Sequence, residues 1–517
     1  MSWTKIVVCT LIAIPFAALI IGSAAAQDEA ASENVAGPTF NHYKFYDLGT
    51  FNGPQSYVYS YLDTNWYTNV LNNLGIVAGW ADTSTTDSSP FCFNPDCFVS
   101  HGFQWQNGVM TDLGVLAPGW SSNATWINPN GLNTSVHPSY TAGIAENGLT
   151  DPSFPGGLFP QFRAVLWTNG VIRDLGTLTS TLGQGVQSAA LAVNNFGQVV
   201  GVSTNCSTAP NCKAVRPPIT ADYWLGPANK PTRAFLWPNS DGTETMQDLG
   251  TLGGTDAAAL FINDQGQVAG MSYINSAPSN YCANEAGASA TTGVFLWQKH
   301  TGMQPLGSFG GTCTYPTGLN NKGQIVGLST EKGDKVADAF YWDGSLHKLP
   351  AFGGNYARPD QVNDLGVTVG WATFPGTQFQ AHAVLWASST SPMTDLGTVG
   401  TDTCSFAFSV NLAGQVVGTS SCNPSGSLAR AFLWQNGSIV DLNRLIPASA
   451  TLYLFLPASI NDLGEIAGYG LTVNGDLHAF LLTPCAAGDT ACQNAPAGPA
   501  FNPPKTTIKI KGINRNH

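Results

Sequence analysis

The sequence predicts an all-β fold, a single eight-bladed β-propeller. Three observations point there. One unit of about 45–70 residues recurs eight times between Tyr43 and Pro484. Each unit holds four short strand-like segments separated by turn residues, the pattern of a propeller blade. The first segment of the region and the last are complementary pieces of one unit, so a ring can close on itself. A seven-bladed ring and an open repeat array are the alternatives.

Composition fits. Of 517 residues, 57 are glycine and 32 proline, while charged residues are only 10%, against about 25% in an ordinary soluble domain. That excludes a long coiled coil and a charged disordered chain. A net charge of −12 leaves no electrostatic footprint for nucleic acid or an anionic membrane.

Residues 1–26 read as a secretory signal. Lys5 precedes the apolar run from Ile6 to Gly22, and Ser23-Ala24-Ala25-Ala26 offers small residues for cleavage after Ala26. An uncleaved anchor is the competing reading. Residues 27–42 form a linker. Secretion places the mature chain outside the cell or in the periplasm, with no membrane attachment after cleavage.

The repeat occupies 43–484. Its asparagine falls at 72, 128, 194, 263, 320, 363, 411 and 461, and a glycine follows three residues later in every copy. Asparagine in such a turn bonds backbone amides further on, and glycine supplies the positive φ. Apolar residues on both sides suit short strands, A before the turn and B after it. Strand C ends at Trp105, Trp167, Trp237, Trp297, Trp342, Trp386 and Trp434, with Leu482 in the last copy. Asn-Gly often follows, the signal of a two-residue hairpin. Strand D ends in Asp-Leu-Gly, as at 248–250. The chain thus begins with a D strand, Tyr43 to Leu48, and ends with a C strand, His478 to Leu482.

An internal test supports this reading. The first residue of strand C and the Asp of the next Asp-Leu-Gly pair as His101/Asp112, Arg163/Asp174, Arg233/Asp248, His382/Asp395 and Arg430/Asp441. The signs swap at Asp338/Lys348, and both charges vanish at Gly293/Pro305. His478 has its partner, under ring closure, in Asp47. Such compensation marks a cross-strand pair. A catalytic dyad would not recur around a ring with arginine in place of histidine.

At these residues the chain resembles the HAF repeat proteins. The tripeptide stands here as His478-Ala479-Phe480, with Arg233-Ala234-Phe235 and Arg430-Ala431-Phe432 in the same slot. Asp-Leu-Gly-Thr-Leu-Gly-Gly at 248–254 and Gly-Gln-Val-Val-Gly at 197–201 and 414–418 also match. The resemblance covers about 440 residues. It implies an extracellular bacterial repeat protein and brings no catalytic residues. Pro305, Lys348 and Leu482 depart from the pattern.

The mature chain has ten cysteines, an even count that suggests disulfides in an exported protein. Proximity assigns Cys92–Cys97, Cys206–Cys212 and Cys485–Cys492. Hairpin register assigns Cys404–Cys422: if Asn411 faces Gln415, these two cysteines stand opposite each other. The same register sets Cys313 against Glu331, so Cys313 is expected to reach Cys282 in the preceding blade. Cys92-x4-Cys97 alone is a poor zinc signal, and no metal or cofactor is expected. Residues 485–517 form an Ala/Pro-rich, then basic tail, expected to be mobile.

No phosphate loop, His-Glu-x-x-His or Gly-x-Ser-x-Gly is present. Trp80 and Trp371 sit at matching repeat positions and read as packing. Loop carboxylates such as Asp82, Glu146, Asp151, Asp222 and Glu285 could pair to act on a polysaccharide, although solvated loop charges are the plainer reading. Trp120, Tyr223 and Trp224 lie outside the shared positions and are the candidate ligand contacts. The B–C segments of blades 1–4 (80–100, 144–162, 202–232, 271–292) are about twice as long as those of blades 5–8. Any ligand is therefore expected on the face of the B–C and D–A loops, over blades 2 to 4. The expected function is that of a secreted, non-catalytic, monomeric binding or scaffold module with an extracellular protein or glycan as partner. The alternative is a carbohydrate-active enzyme or lectin.

Overall fold

The computed structural model describes residues 40–496 and 498, apart from 59–68, 90–91, 93, 95, 132, 135, 137, 152–158, 181–182, 206–230, 240–244, 377–379 and 423–427. Eight four-stranded antiparallel sheets form a closed β-propeller. The A strands of blades 1 to 8 are Asn52–Tyr57, Ser122–Ile127, Ser188–Val193, Ala257–Ile262, Gly310–Leu319, Ala357–Val362, Cys404–Val410 and Tyr453–Ile460. They line the central channel. B, C and D follow outward in sequence order in blades 1 to 7.

Blade 8 is completed from the other end of the chain. Its fourth strand is Tyr43–Asp47, paired with Leu477–Pro484 so that Tyr43 faces Pro484 and Asp47 faces Phe480. His478 Nδ1 lies 2.9 Å from Asp47. Ser56 Oγ of blade 1 accepts from the Ala479 amide of blade 8 at 3.0 Å.

Each recurring residue has a local cause. In Asp-Leu-Gly the carboxylate accepts from the glycine amide two residues on, at 2.7 Å in both Asp112 and Asp174. It also reaches the residue two before its facing partner in strand C: Asp112 lies 2.7 Å from His101, Asp248 3.1 Å from Arg233 and Asp395 3.0 Å from His382. The swapped pair Asp338/Lys348 meets at 2.7 Å. Arg430 is a partial exception. It approaches Asp441 only to 3.9 Å and lies closer, at 3.1 Å, to Asp402. The leucine of the motif is buried, as at Leu113 and Leu249. Asn-Gly hairpins at 107–108, 169–170 and 436–437 have both residues at positive φ, as a type I′ turn requires.

The glycine that ends Gln-Val-Ala-Gly cannot carry a side chain. A Cβ at Gly270 would run into the Ala258 carbonyl and the Phe295 ring, and Gly201, Gly327 and Gly418 are confined in the same way. This is where the ring of buried phenylalanines, Phe103, Phe235, Phe295, Phe340, Phe432 and Phe480, packs against strand B. Trp167, Trp237 and Trp386 are fully buried, and Trp80 and Trp371 are buried as well.

The A–B register departs from the one expected from the turn alone. In blade 7 Val410 faces Val416, but a bulge between Ala407 and Ser409 shifts the pairing by one, so Cys404 faces Ser421 and not Cys422. A bulge three residues before the asparagine recurs in blades 2 to 8. In blade 5 it moves Cys313 off Glu331, whose facing residue is Gly310. The extra residue bends each A strand at the channel wall. The disulfides described are Cys92–Cys97, Cys282–Cys313, Cys404–Cys422 and Cys485–Cys492. Cys206 and Cys212 lie outside the described residues, as do residues 1–39.

Among the described residues two short α-helices, Asn280–Glu285 and Thr490–Gln493, and a 3-10 turn at Leu442–Arg444 interrupt the β pattern. The second helix belongs to a stretch tied to the rim of blade 8. Lys44 pairs with Asp489 at 3.1 Å, and the His42 amide donates to Gln493 Oε1 at 3.2 Å.

Candidate functional site

On the A–B side the channel mouth is built from the eight turn asparagines. Each of seven turns its carboxamide oxygen onto backbone amides of its own turn; in blade 3, Asn194 Oδ1 accepts from Phe196 and Gln198 at 3.1 and 3.0 Å. The amide nitrogen points sideways. Asn194, Asn263, Asn320, Asn363 and Asn411 each donate to the carbonyl of the asparagine in the next blade, at 2.8–3.1 Å. Asn461 closes the circle by donating to the Asn72 carbonyl at 2.9 Å. Asn72 donates instead to the Gly131 carbonyl at 2.9 Å, and Asn128 contacts Asn195 at 3.3 Å.

A second ring stands on the first. Asp264 accepts from the Asn195 amide and side chain at 3.0 and 2.8 Å, and Asp364 does the same from Asn321. Asp462 accepts from the Leu412 amide at 2.9 Å and from Asn73 Nδ2 at 3.1 Å. Beneath lies a cavity of about 210 Å³ that also reaches Trp126, Phe261 and Gln361.

The opposite face carries the B–C and D–A loops. Here the first half of the ring differs from the second. The B strands of blades 1, 2 and 4 run to 10, 11 and 11 residues (Val77–Thr86, Tyr140–Thr150, Val268–Pro278). Those of blades 5 to 8 have 7, 6, 6 and 6. The C strands facing the long ones are extended to match, at Phe98–Gln106, Pro160–Thr168 and Ala290–Gln298. Four or five further residues in the B arm and three in the C arm lift these hairpins about 10–16 Å off the ring. Leu149 and Ile274 are exposed on them. In the fourth, helix Asn280–Glu285 is capped by Ser279 and held to the A strand of blade 5 by Cys282–Cys313. Its Glu285 accepts a hydrogen bond from the Tyr356 hydroxyl of blade 6.

Trp120 lies in the D–A loop on this face, half-buried, its indole nitrogen beside Gly148 of the second hairpin. Tyr223 and Trp224 lie outside the described residues, so the structure does not bring the three aromatic candidates together. The candidate carboxylates are spread. Asp82 and Glu146 occupy equivalent positions in blades 1 and 2, both buried, each with one oxygen lacking a hydrogen bond. Burial, reinforced by the neighbouring Asp96 carboxylate, pushes Asp82 up to about 9. Burial, with Asp87 adding, pushes Glu146 up to about 8 although the Ser121 amide donates to it at 2.9 Å. Both are therefore neutral at pH 7. Glu146 has the protonation state of a general acid but is only 2% exposed. Asp151 accepts from Gln187 at 3.2 Å, and Asp222 lies outside the described residues. Among the described residues no three His, Cys, Asp or Glu side chains group as metal ligands.

The asparagine ring escaped the reading of the sequence. A signal for it existed. Asp would serve the turn equally well, yet all eight copies carry the residue that also has a donor.

No protein-family model and no curated protein matches the chain, so the resemblance to the HAF repeat proteins rests on the motifs alone. Among solved structures, it is similar to the β-propeller domain of the Trilobed protease from Pyrococcus furiosus, at 8% identity and a TM-score of 0.39 over 73% of this chain and 97% of that one. A puromycin-hydrolysing peptidase of Mycobacterium tuberculosis matches at 13% identity and a TM-score of 0.42, over 81% of this chain and 59% of its own. Trypanosoma rangeli sialidase matches at 10% identity and a TM-score of 0.28, over 73% and 56%. At these values nothing of those proteins' chemistry transfers to this one.

Proposed function

We propose that the protein is an exported binding or scaffold module of the HAF repeat kind, non-catalytic and monomeric, that takes an extracellular protein or glycan on its B–C/D–A face over blades 2 to 4. The observation that carries this reading is the asymmetry of that face. Long hairpins rise from blades 1, 2 and 4 alone among the described blades, and one is stapled by Cys282–Cys313. Long insertions confined to one face of a repeat array are where such folds place recognition. Disulfides fit the extracellular setting. A polysaccharide-cleaving reading needs two carboxyl groups facing a common open pocket. Asp82, Glu146 and Asp151 are each buried and engaged inside the protein.

The test is a glycan array and polysaccharide panel probed with the mature protein, followed by Trp120→Ala and removal of residues 206–228. A ligand on this face loses about tenfold or more in affinity, the equivalent of one buried aromatic contact, while the circular dichroism spectrum is unchanged. A ligand whose affinity survives both changes binds elsewhere.

A further inference from the structure

The A–B face carries an apolar arc that the ring does not use. The third residue of the asparagine turn is Leu365 in blade 6, Leu463 in blade 8 and Leu74 in blade 1, which are 60%, 62% and 37% exposed. In blade 7 the leucine stands one place earlier, as Leu412, 43% exposed. Blades 2, 4 and 5 put Asn130, Gln265 and Lys322 at the third place. The four turns touch. Asn363 donates to the Asn411 carbonyl, Asn411 to that of Asn461 and Asn461 to that of Asn72, at 2.9–3.0 Å. The leucines therefore stand side by side, and together they expose as much as about two free leucine side chains. A contiguous apolar patch with a polar border is the mark of an interaction surface.

The channel mouth adjoins the arc. Leu412 lines the cavity of about 210 Å³, and so do the residues that precede the other three leucines, Asn73, Asp364 and Asp462. That space exceeds the roughly 150 Å³ that admits a benzene ring, so it takes one long side chain. Its charge is one-sided. Asp264, Asp364 and Asp462 line it from blades 4, 6 and 8, and no Lys, Arg or His lines it among the described residues. A carboxylate has about four acceptor sites. Asp364 uses two, on the Asn321 amide and side chain. Asp462 uses two, on the Leu412 amide and Asn73 Nδ2. Each keeps capacity for a further donor.

These features select the chemistry of an occupant. An acidic or purely apolar segment laid over the mouth would desolvate the carboxylates and give them no partner. A guanidinium or ammonium group supplies that partner, and apolar neighbours in the same segment cover the leucines.

We infer that the A–B mouth is a docking surface for a second protein, which inserts one arginine or lysine into the channel cavity beside Asp364 and Asp462 and lays flanking apolar residues on Leu365, Leu412, Leu463 and Leu74. A basic anchor in a pocket, ringed by contacts that exclude water, is how protein interfaces concentrate their affinity. The surface lies on the side of the ring opposite the proposed ligand face and does not depend on that reading.

The probe is a random peptide library displayed on phage and panned against the mature protein. Selection should enrich sequences with an arginine or lysine beside aliphatic or aromatic residues. A synthetic copy of such a peptide should bind more weakly as salt rises. Leu365→Ser/Leu463→Ser and, separately, Asp364→Asn/Asp462→Asn should each weaken binding by about tenfold or more, while Phe196→Ser, an exposed position outside the arc, leaves it unchanged. The leucine pair is exposed, so its variant should melt with wild type and decides the matter even where the aspartate variant is less stable. A library that yields no basic and apolar consensus overturns the docking surface. So does a peptide whose affinity survives the leucine variant, or one weakened as much by Phe196→Ser.

Discussion

Asn320 shows how one side chain serves two levels of structure. Its oxygen accepts from the Lys322 and Gln324 amides at 3.0 Å each, while its nitrogen donates to Gln324 Oε1 at 2.7 Å and to the Asn363 carbonyl at 2.8 Å. Asn320→Asp keeps both acceptor bonds and loses both donor bonds, leaving the buried Asn363 carbonyl and the half-buried Gln324 oxygen without them. The expected cost is about 1–3 kcal/mol, read as a lower urea midpoint with an unchanged m-value. An equal midpoint would show that the link between blades adds nothing. His478 gives a pH-dependent counterpart. Burial depresses its imidazole, but the hydrogen bond and charge of Asp47 outweigh that and raise it. Burial likewise raises the Asp47 carboxyl, and the bond and charge of His478 turn the net shift downward. The histidine's contribution is complete below its unfolded value near 6.5 and is lost as pH rises through the higher folded value. The aspartate's is complete above about 3.8 and is lost as pH falls through its lower folded value. The pair therefore stabilises most between about pH 4 and 6.5. Thermal melts of wild type and His478→Ala should differ most in that window, by no more than about 1 kcal/mol for a pair this accessible, and draw together as pH rises through the histidine's higher folded value.

Within a blade, the Gly of Gln-Val-Ala-Gly and the Phe of strand C form one packing unit. The chain approaches itself so closely at Gly270 that the Ala258 carbonyl and the Phe295 ring fill the place of a side chain. Gly270→Ala should destabilise the protein by about 1–3 kcal/mol, as overpacking does. Lys335→Ala, in an exposed B–C loop, supplies a comparison expected to stay within about 0.5 kcal/mol. Similar melting temperatures for the two would mean that the A strand yields at no cost. The alternating apolar residues and the Asn-Gly turns made these strands legible before any coordinates. The recurrent bulge was not legible, because Phe408 and Leu260 have nothing in their residue type that marks them as the extra residue. It follows from how strand A meets its neighbours around the channel. The same shift explains why a register counted from Asn411 sets Cys404 against Cys422, while the structure sets Ser421 there.

At the scale of the ring, closure rests on five residues at the start of the repeat region. Tyr43–Asp47 completes blade 8 with a register of five facing pairs, and Tyr43 is buried under it. A chain beginning at Leu48 loses that strand and the His478–Asp47 pair, yet keeps the Asn461–Asn72 bond at the channel. The expected result is a folded but weaker ring, with a melting temperature several degrees lower and increased hydrogen exchange in 477–484. Exchange confined to blade 8 and absent from blades 3 to 5 is the specific signature, since each blade contacts only its neighbours. Uniform loss across all blades would mean that the ring melts as one unit.

The sequence by itself determined the number of blades, the strand order, the swapped closing strand and the partner of His478. All of these follow from periodicity and from charge compensation between residues at fixed places in the repeat, which local chemistry dictates. Tertiary structure alone decided the asparagine circle, the one-residue bulges, the nearer approach of Arg430 to Asp402, and the neutral, buried state of Asp82 and Glu146. The circle depends on which backbone of the next blade stands opposite, and the others largely on which strand or loop of the same blade folds back onto them. Neither kind of contact is encoded in the local spacing of a single strand.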